Sequence, residues 1–266
     1  MTANKKYETI KVEFIDRIAR VTLNRPDVRN AFNAAMIADM ADAFKTINKA
    51  DNLRVVVLTG EGSGFCAGAD LNWMKGVVNY TYEENLQDSQ NLADMFQLMA
   101  NCPLPTVARV NGPAIGGGTG MVAVCDIVVA SPKAVFSLSE VKIGLVPACI
   151  SPYVIRRMGD KNCREYFLTG ERLTAEKGLA AGLVNYVVPE DKLDEKVEQL
   201  VKQLISSGPE ALSWCKKLLS EVPGMARDKA GTYTAEVITK LRLSDEGQEG
   251  MKAFFEKRKP DWCGDV

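Results

Sequence analysis

The sequence predicts an α/β fold with a helical region towards its carboxyl end. Short β-rich runs alternate with segments whose apolar residues recur at helical spacing, and beyond about residue 150 the segments are mainly helical. The chain has 266 residues, of which 46% are hydrophobic and 25% charged, so it can bury a sizeable core. No repeat of fixed period, low-complexity segment or obvious linker interrupts it.

The amino-terminal half predicts two strands, a helix, a third strand and a second helix. Apolar residues alternate over 10–14 and a second β-rich run covers 18–23, which predicts a hairpin with its tight turn at Asp16 and Arg17. The segments that follow predict, in order, a helix over 34–49, a buried strand over 53–58, a loop over 59–64 and a helix over 83–101.

The second half continues the alternation and then becomes helical. A strand over 106–110 leads into a turn of small residues, after which a short helix begins and ends before Asp126. Two further strands are predicted over 127–130 and 134–138. The remaining helices are predicted over 174–181, 190–206, 209–220, 226–242 and 247–258.

The composition excludes several functional classes. The chain contains no His, which excludes imidazole catalysis and His-ligated zinc, so acid–base work falls to Asp, Glu, Lys, Tyr or Cys. The seven cysteines form no Cys-x-x-Cys pair, and we expect them to be reduced. A net charge of −1 provides no basic field for nucleic acid or a membrane. The amino terminus shows no signal or transit pattern, and we expect a cytoplasmic protein.

A glycine-rich run at residues 116–120 (Gly-Gly-Gly-Thr-Gly) lies between a predicted strand and a predicted helix. Glycines allow a ligand to approach the backbone, and a helix amino terminus offers N–H groups to negative charge. Met121 stands where a dinucleotide fingerprint has its third glycine, and there is no Gly-Lys-Ser/Thr sequence, so neither nucleotide motif is present. The run is either a ligand-binding turn or a tight packing turn.

Three other features each allow two interpretations. Residues 64–71 form a second loop of small residues, either a ligand contact or a loop in which Asp70 caps the next helix. Glu140 lies between apolar residues, where burial would raise its pKa and suit acid–base catalysis, but Ser137 and Glu140 also match a capping box. The basic residues over 252–259 either contact phosphates of a soluble cofactor or complement a helix carboxyl terminus.

These pieces, in this order, resemble the enoyl-CoA hydratase/isomerase (crotonase) family over nearly the whole chain. The resemblance is carried by residues 24–32, 65–70, 110–118, 125–127, 140–147, 168–170, 181–184 and 255–259. It implies a spiral core of ββα units over residues 1–200 and a helical trimerisation region over residues 201–266. It also implies an acyl-CoA thioester substrate that brings coenzyme A with it, no separate cofactor, no metal, and a homotrimer or dimer of trimers.

The resemblance also implies roles for individual residues. The backbone N–H groups of Ala69 and Gly117 would form an oxyanion hole, and Glu140 would be the acid–base residue. Two such donors stabilise an enolate more than the ground state, and loss of one typically costs about 10²–10³ in rate. The residues implied to contact the substrate or its coenzyme A portion are Arg25, Ala67, Gly68, Asp70, Leu71, Gly116, Phe254 and Lys257.

The sequence departs from the family pattern at Gly120, where many hydratases of this family carry a first catalytic Glu. The second carboxylate of the pattern is present as Glu140. Thr119, Ser139 and Tyr153 are the nearby side chains that could take over part of the missing function.

A finer resemblance is carried by residues 67–74, 117–120, 137–148 and 150–154. These segments are similar to 3-methylglutaconyl-CoA hydratases of leucine degradation and to related branched-chain hydratases. They predict reversible hydration of a short branched 2-enoyl-CoA by a single Glu, with Lys75 as one candidate partner for a substrate carboxylate. Two alternatives stay open: a Δ3,Δ2-enoyl-CoA isomerase, which needs no water, and a non-catalytic crotonase-fold protein that binds acyl-CoA.

Overall fold

The computed structural model describes residues 5–264. Residues 1–4, on which part of the targeting expectation depends, and residues 265–266 lie outside the described residues. Within the described range the strands are β1 (Ile10–Ile15), β2 (Ile18–Leu23), β3 (Val55–Gly60), β4 (Thr106–Val110), β5 (Ala114–Ile115), β6 (Ile127–Ala130), β7 (Val135–Ser137), β8 (Leu173–Thr174) and β9 (Tyr186–Val187).

Six strands form the central sheet in the order β1-β2-β3-β4-β6-β9. β1 and β2 are antiparallel, and the other neighbouring pairs of this sheet are parallel. The hairpin turn consists of Asp16 and Arg17, whose φ angles of 46° and 69° match the left-handed conformation of a two-residue hairpin turn. The predicted hairpin is therefore confirmed. A smaller sheet in the order β5-β7-β8 carries the segments that lead into the functional site.

The helices confirm most of the sequence prediction. They are α1 (Ala34–Ile47), α2 (Leu71–Val77), α3 (Tyr82–Ala100), α4 (Gly117–Val124), α5 (Ser151–Thr169), α6 (Ala175–Ala180), α7 (Leu193–Ile205), α8 (Pro209–Glu221), α9 (Arg227–Leu243) and α10 (Asp245–Glu256). The predicted loop over 59–64 is wrong at its start, since Thr59 and Gly60 belong to β3 and pair with Thr22 and Leu23 of β2.

The central sheet separates two apolar clusters. Val56 and Leu58 of β3 belong to the larger cluster, which also contains buried residues of α1, α3 and α4. Val55 and Val57 point to the other face and join the buried side of α7. A strand that is apolar on both faces is typical of a parallel sheet covered by helices on both sides. The larger cluster is the one beneath the functional site.

Helix α7 crosses residue 200, the predicted boundary between the core and the carboxyl-terminal region, and packs against β3, β4 and β6. Helices α8, α9 and α10 follow it. Beyond α10, the Trp262 carbonyl accepts hydrogen bonds from Arg17 at 2.9 Å and Arg54 at 3.3 Å, which ties this region to the first hairpin. Nowhere in residues 5–264 does a helix combine the length and apolar character that crossing a membrane requires.

Candidate active site

The first turn of α4 begins without a capping side chain. Gly116 precedes the helix at φ 52° and ψ −118°, a conformation that favours glycine. The Gly120 N–H donates to the Gly116 carbonyl at 3.1 Å, and this is where the helical bonding starts. Among residues 5–264 nothing accepts a hydrogen bond from the Gly117 N–H. This N–H is therefore open to a negatively charged ligand atom.

The loop before α2 lies beside the strand that leads into α4. Cys66 pairs in parallel with Ala114, and the Ile115 N–H donates to the Cys66 carbonyl at 2.9 Å. Two residues further along, a Cβ added to Gly68 would lie 3.3 Å from the Ile115 carbonyl oxygen. Glycine at this position lets the two segments run side by side towards Gly117.

The free N–H groups of Ala69 and Gly117 both lie next to Phe32. The Phe32 N–H donates to the Gly68 carbonyl, and the Phe32 carbonyl accepts from the Asp70 N–H, each at 2.7 Å. The Ala69 N–H between them has no partner in the described part of the chain. The Phe32 ring packs on Gly117, where an added Cβ would lie 2.8 Å from it. The structure thus brings together the two backbone donors that the sequence predicts.

Glu140 lies beside Gly116, the residue before Gly117, on a turn of 3-10 helix, Ser139–Ile143. One of its carboxyl oxygens, Oε1, is 3.1 Å from where a Cβ on Gly116 would stand. The other, Oε2, is buried and has no hydrogen-bond partner among the described residues. Burial raises the pKa of the carboxyl, and its own backbone N–H opposes the shift in part.

The capping-box interpretation of Ser137 and Glu140 is wrong. Ser137 is the last residue of β7, and Leu138 precedes the turn without any side-chain capping bond. A strand that ends at residue 137 directs the Ser137 side chain into the interior, where its Oγ has no partner within residues 5–264.

The position of Gly120 is closed to a side chain. A Cβ added there would lie 2.2 Å from Cγ2 of Ile150 and 3.1 Å from Cζ of Phe96. The volume in which a carboxylate could stand is therefore filled by apolar groups from α3 and from the start of α5. Sequence reasoning missed Ile150, because the contact joins residues thirty positions apart and no local pattern marks it.

Asp70 and Arg25 form a structural pair. Asp70 Oδ1 accepts from the N–H groups of Asn72 and Trp73, which caps α2, and Oδ2 accepts from Arg25 at 2.8 Å. The hydrogen bond from Arg25 holds the pKa of the Asp70 carboxyl below its usual range. The capping interpretation is confirmed, and Leu71, the first residue of the helix, is 73% exposed.

The remaining predicted contacts lie in different surroundings. The Ala67 N–H donates to the Arg29 carbonyl at 2.9 Å, which fixes the loop before Ala69. Phe254 is 79% exposed on α10, with its ring against Phe255. Lys257 follows that helix in the left-handed conformation, and its ammonium group forms no ion pair within the described residues. A role for Phe254 and Lys257 stays a prediction.

The arrangement supports one kind of chemistry. Two unpaired backbone N–H groups near each other can hold an oxygen atom on which negative charge develops. The half-buried carboxyl of Glu140 beside Gly116, with a raised pKa, can donate or accept a proton. Within residues 5–264 no three His, Cys, Asp or Glu side chains converge on a metal-sized site. The fold and the site define an α/β protein suited to proton transfer next to a carbonyl group.

Comparison with known proteins gives the family. The model of the enoyl-CoA hydratase/isomerase family matches residues 13–265, and the chain belongs to that family. It is 37% identical over 243 residues to a Thermus thermophilus protein whose name includes "enoyl-CoA hydratase", covering 91% of this chain and 96% of that protein.

Solved structures agree with this assignment. An enoyl-CoA hydratase from Shewanella pealeana superposes with a TM-score of 0.94 at 37% identity, covering 97% of each chain. Pseudomonas aeruginosa AtuE superposes with a TM-score of 0.93 at 32% identity, covering 96% of this chain and all of that one. The predicted crotonase-like α/β fold is confirmed, and the chain belongs to a family that is described as enoyl-CoA hydratases and isomerases.

Proposed function

We propose that this protein catalyses reversible addition of water to a short, branched 2-enoyl-CoA, with 3-methylglutaconyl-CoA as the model substrate. The observation that carries the proposal is the isolation of Glu140. It lies beside Gly116, the residue before Gly117, and its buried Oε2 has no hydrogen-bond partner among the described residues, while Ile150 and Phe96 fill the space where a second carboxylate would stand.

One carboxyl group is sufficient for the reaction. The thioester oxygen accepts hydrogen bonds from the N–H groups of Ala69 and Gly117. As Glu140 takes a proton from water, the water oxygen bonds to C3 and the C2=C3 electrons pass to the thioester as an enolate. Glu140 then delivers its proton to C2, which restores the thioester carbonyl. The two backbone donors favour the enolate over the ground state, which is the form of stabilisation that accelerates the step.

The coenzyme A portion of the substrate would lie along the loop before α2. Small residues at Ala67 and Gly68 allow its adenine to approach the backbone, and Arg25 lies next to this loop. We propose that Phe254 and Lys257 contribute from the carboxyl-terminal region in the assembled oligomer, where Lys257 would face the phosphates.

Isomerisation is the second candidate, because the isolation of Glu140 is equally compatible with it. A Δ3,Δ2-enoyl-CoA isomerase moves one proton between two carbon atoms and needs no water, so one carboxyl group serves it equally well. A non-catalytic protein would bind the thioester without changing it.

Turnover of 3-methylglutaconyl-CoA and crotonyl-CoA tests the proposal. Loss of the enoyl-thioester absorbance with a product heavier by one water, abolished in Glu140→Gln and retained in the control Glu165→Gln on α5, is the expected result. Removal of a general acid–base residue typically costs about 10²–10⁴ in rate. Turnover of a 3-enoyl-CoA with no hydration would identify an isomerase, and tight binding without any turnover would identify a non-catalytic protein.

A further inference from the structure

The Thr119 hydroxyl contacts two segments of the site at once. Thr119 is fully buried in the first turn of α4, and its Oγ1 lies 2.7 Å from the Ala114 carbonyl oxygen and 3.0 Å from the Ser137 carbonyl oxygen. It also accepts from the Ser137 N–H at 3.3 Å. A hydroxyl has a single proton, so the shorter contact to Ala114 receives most of it. Its only proton is committed to backbone carbonyl oxygens, which removes it as a proton donor in place of the missing carboxylate.

The two segments are those that carry the proposed catalytic groups. Ala114 lies in β5, from which the chain passes directly to Gly117. Ser137 ends β7, three residues before Glu140. The two strands pair over only two residues each, and the Gly116 N–H extends the pairing by one bond of 2.8 Å to the Ser137 carbonyl. With so short a ladder, the buried hydroxyl is a substantial part of what joins them.

We infer that Thr119 is a positioning residue, which holds the Gly117 N–H and the Glu140 carboxyl at a fixed separation. Catalytic groups must stay close to their productive geometry, and a misplacement of about 1 Å can cost about 10² in rate. Thr119 touches neither the substrate nor the reacting atoms. Its effect passes through the backbone on either side. The kinetic part of this inference rests on the proposed function.

Two substitutions at this position separate the hydroxyl from the shape of the side chain. Thr119→Val keeps the branched shape and removes the donor, whereas Thr119→Ser keeps the hydroxyl. Thr59 supplies a matched control, because it is buried in β3 and its hydroxyl donates to the Arg109 carbonyl at 2.9 Å. It lies on the α7 side of the sheet with Val57, away from the site.

Steady-state kinetics over a pH range give the first readout. We expect Thr119→Val to lower kcat by about 10² with little change in KM. The acid limb of its kcat profile should move to lower pH, because a displaced Glu140 is better hydrated. Thr119→Ser should keep kcat and the acid limb at their wild-type values, and Thr59→Val should change neither quantity.

The second readout does not require turnover. The carbonyl stretch of isotope-labelled 3-methylglutaryl-CoA, a saturated ligand, is measured by infrared spectroscopy when it is bound. We expect binding to lower the carbonyl stretching frequency, relative to the free ligand, by less in Thr119→Val than in the wild type. If the wild type hydrates nothing, the proposed function fails while this comparison still tests Thr119. A Thr119→Val protein that loses thermal stability alone, with kcat, acid limb and carbonyl frequency unchanged, would overturn the inference.

Discussion

At the scale of single residues, the raised pKa of Glu140 follows from burial rather than from neighbouring charges. Its carboxyl is partly desolvated and one oxygen lacks a hydrogen-bond donor, so the charged form is disfavoured. Such a group is costly to the fold and useful to the reaction, a combination typical of functional sites. The fold therefore carries a local instability at the point where the proposed function places the proton transfer.

This cost predicts a pH-dependent gain of stability in Glu140→Gln. Below the unfolded-state pKa, near the ordinary value of 4.5, the carboxyl is protonated in both states and contributes no difference. Above its raised folded-state pKa, the ionised group destabilises the native protein. We expect the Tm of Glu140→Gln to exceed that of the wild type at pH 7, with the gap closing as the pH falls. Equal Tm differences at pH 4 and pH 7 would contradict this account.

The residue scale also shows what the sequence could predict of the site. The sequence predicts Ala69, Gly117 and Glu140 because each lies within an ordered set of motifs, and the structure places Ala69 and Gly117 against Phe32 and Glu140 beside Gly116. The family resemblance shows that Gly120 stands where many members carry a first catalytic Glu. It did not reveal that Ile150 fills the space, since that depends on how α5 approaches α4.

At the scale of elements, the two helices that follow small-residue loops begin in opposite ways. Asp70 caps α2 and satisfies its first N–H groups, whereas α4 begins at Gly116 with no capping side chain. One helix end is closed for stability and the other is left open for a ligand. The sequence predicts a helix after each of these loops, but only the side chain at the cap distinguishes the two helix ends.

Asp70 is expected to stabilise α2 through both its cap and its ion pair. Asp70→Ala removes both and should cost about 1–2 kcal/mol, while Asp70→Asn keeps the cap and should cost less. Because Arg25 lowers the Asp70 pKa, the advantage of the wild type over Asp70→Asn is present above the ordinary pKa of 3.8 and is lost as the pH falls through the lower folded-state value. Urea unfolding between pH 2 and pH 7 measures this, and a constant difference would rule out the ion pair as the cause.

The packing between α4 and α5 predicts that replacing a helical glycine by alanine lowers the free energy of unfolding instead of raising it. Ala in a helix interior is normally favoured over Gly by about 0.5–1 kcal/mol, and Gly231 of α9, with open space around it, should show that gain. Gly120→Ala should instead lose about 1–3 kcal/mol, because its Cβ would overlap Ile150. In an Ile150→Ala background the loss should largely disappear. The denaturant midpoints of the wild type, Gly120→Ala, Ile150→Ala and the double variant measure this effect, with Gly231→Ala as the control. A loss that persists in the Ile150→Ala background would assign the strain elsewhere.

The elements show where pattern reasoning reaches its limit. Alternation and helical spacing predicted the hairpin and most of the helices, because those patterns reflect local geometry and burial. The predicted loop over 59–64 began too early, since Thr59 and Gly60 are held in β3 by pairing with β2. The capping box failed for a related reason, because Ser137 is committed to β7 before a turn can use it.

At the scale of the whole molecule, the carboxyl-terminal helices leave large apolar side chains in water. Leu219, Leu243, Phe254 and Phe255 are each more than 65% exposed in the isolated chain. Exposed apolar surface marks interaction sites where it is contiguous and large. Leu71, Val78 and Leu168 are exposed to a similar extent elsewhere in the chain, so trimerisation through residues 201–266 stays a prediction.

The prediction is tested by the mass of the particle in solution. Light scattering after size-exclusion chromatography should give three or six times the mass of the chain. Leu243→Asp should shift the protein towards smaller species, because a buried charge without a partner is costly at an interface. Ile15→Asp, at a half-exposed position on β1, is the control and should leave the mass unchanged. A monomeric wild type would refute the assignment.

The absence of charged neighbours around Glu140 has a consequence for ionic screening. The pKa of Glu249 is lowered to about 2, chiefly by a hydrogen bond from the Arg258 guanidinium and in part by the charge of that group, whose attraction dissolved salt weakens. No such attraction acts on Glu140 within the described residues. The chain also contains no His, the side chain that ordinarily titrates near neutral pH. Between about 0.01 M and 1 M salt the Debye length shrinks from roughly 30 Å to 3 Å. The acid limb of kcat should nevertheless stay at the same pH, so the enzyme would keep one proton-transfer threshold across very different ionic environments.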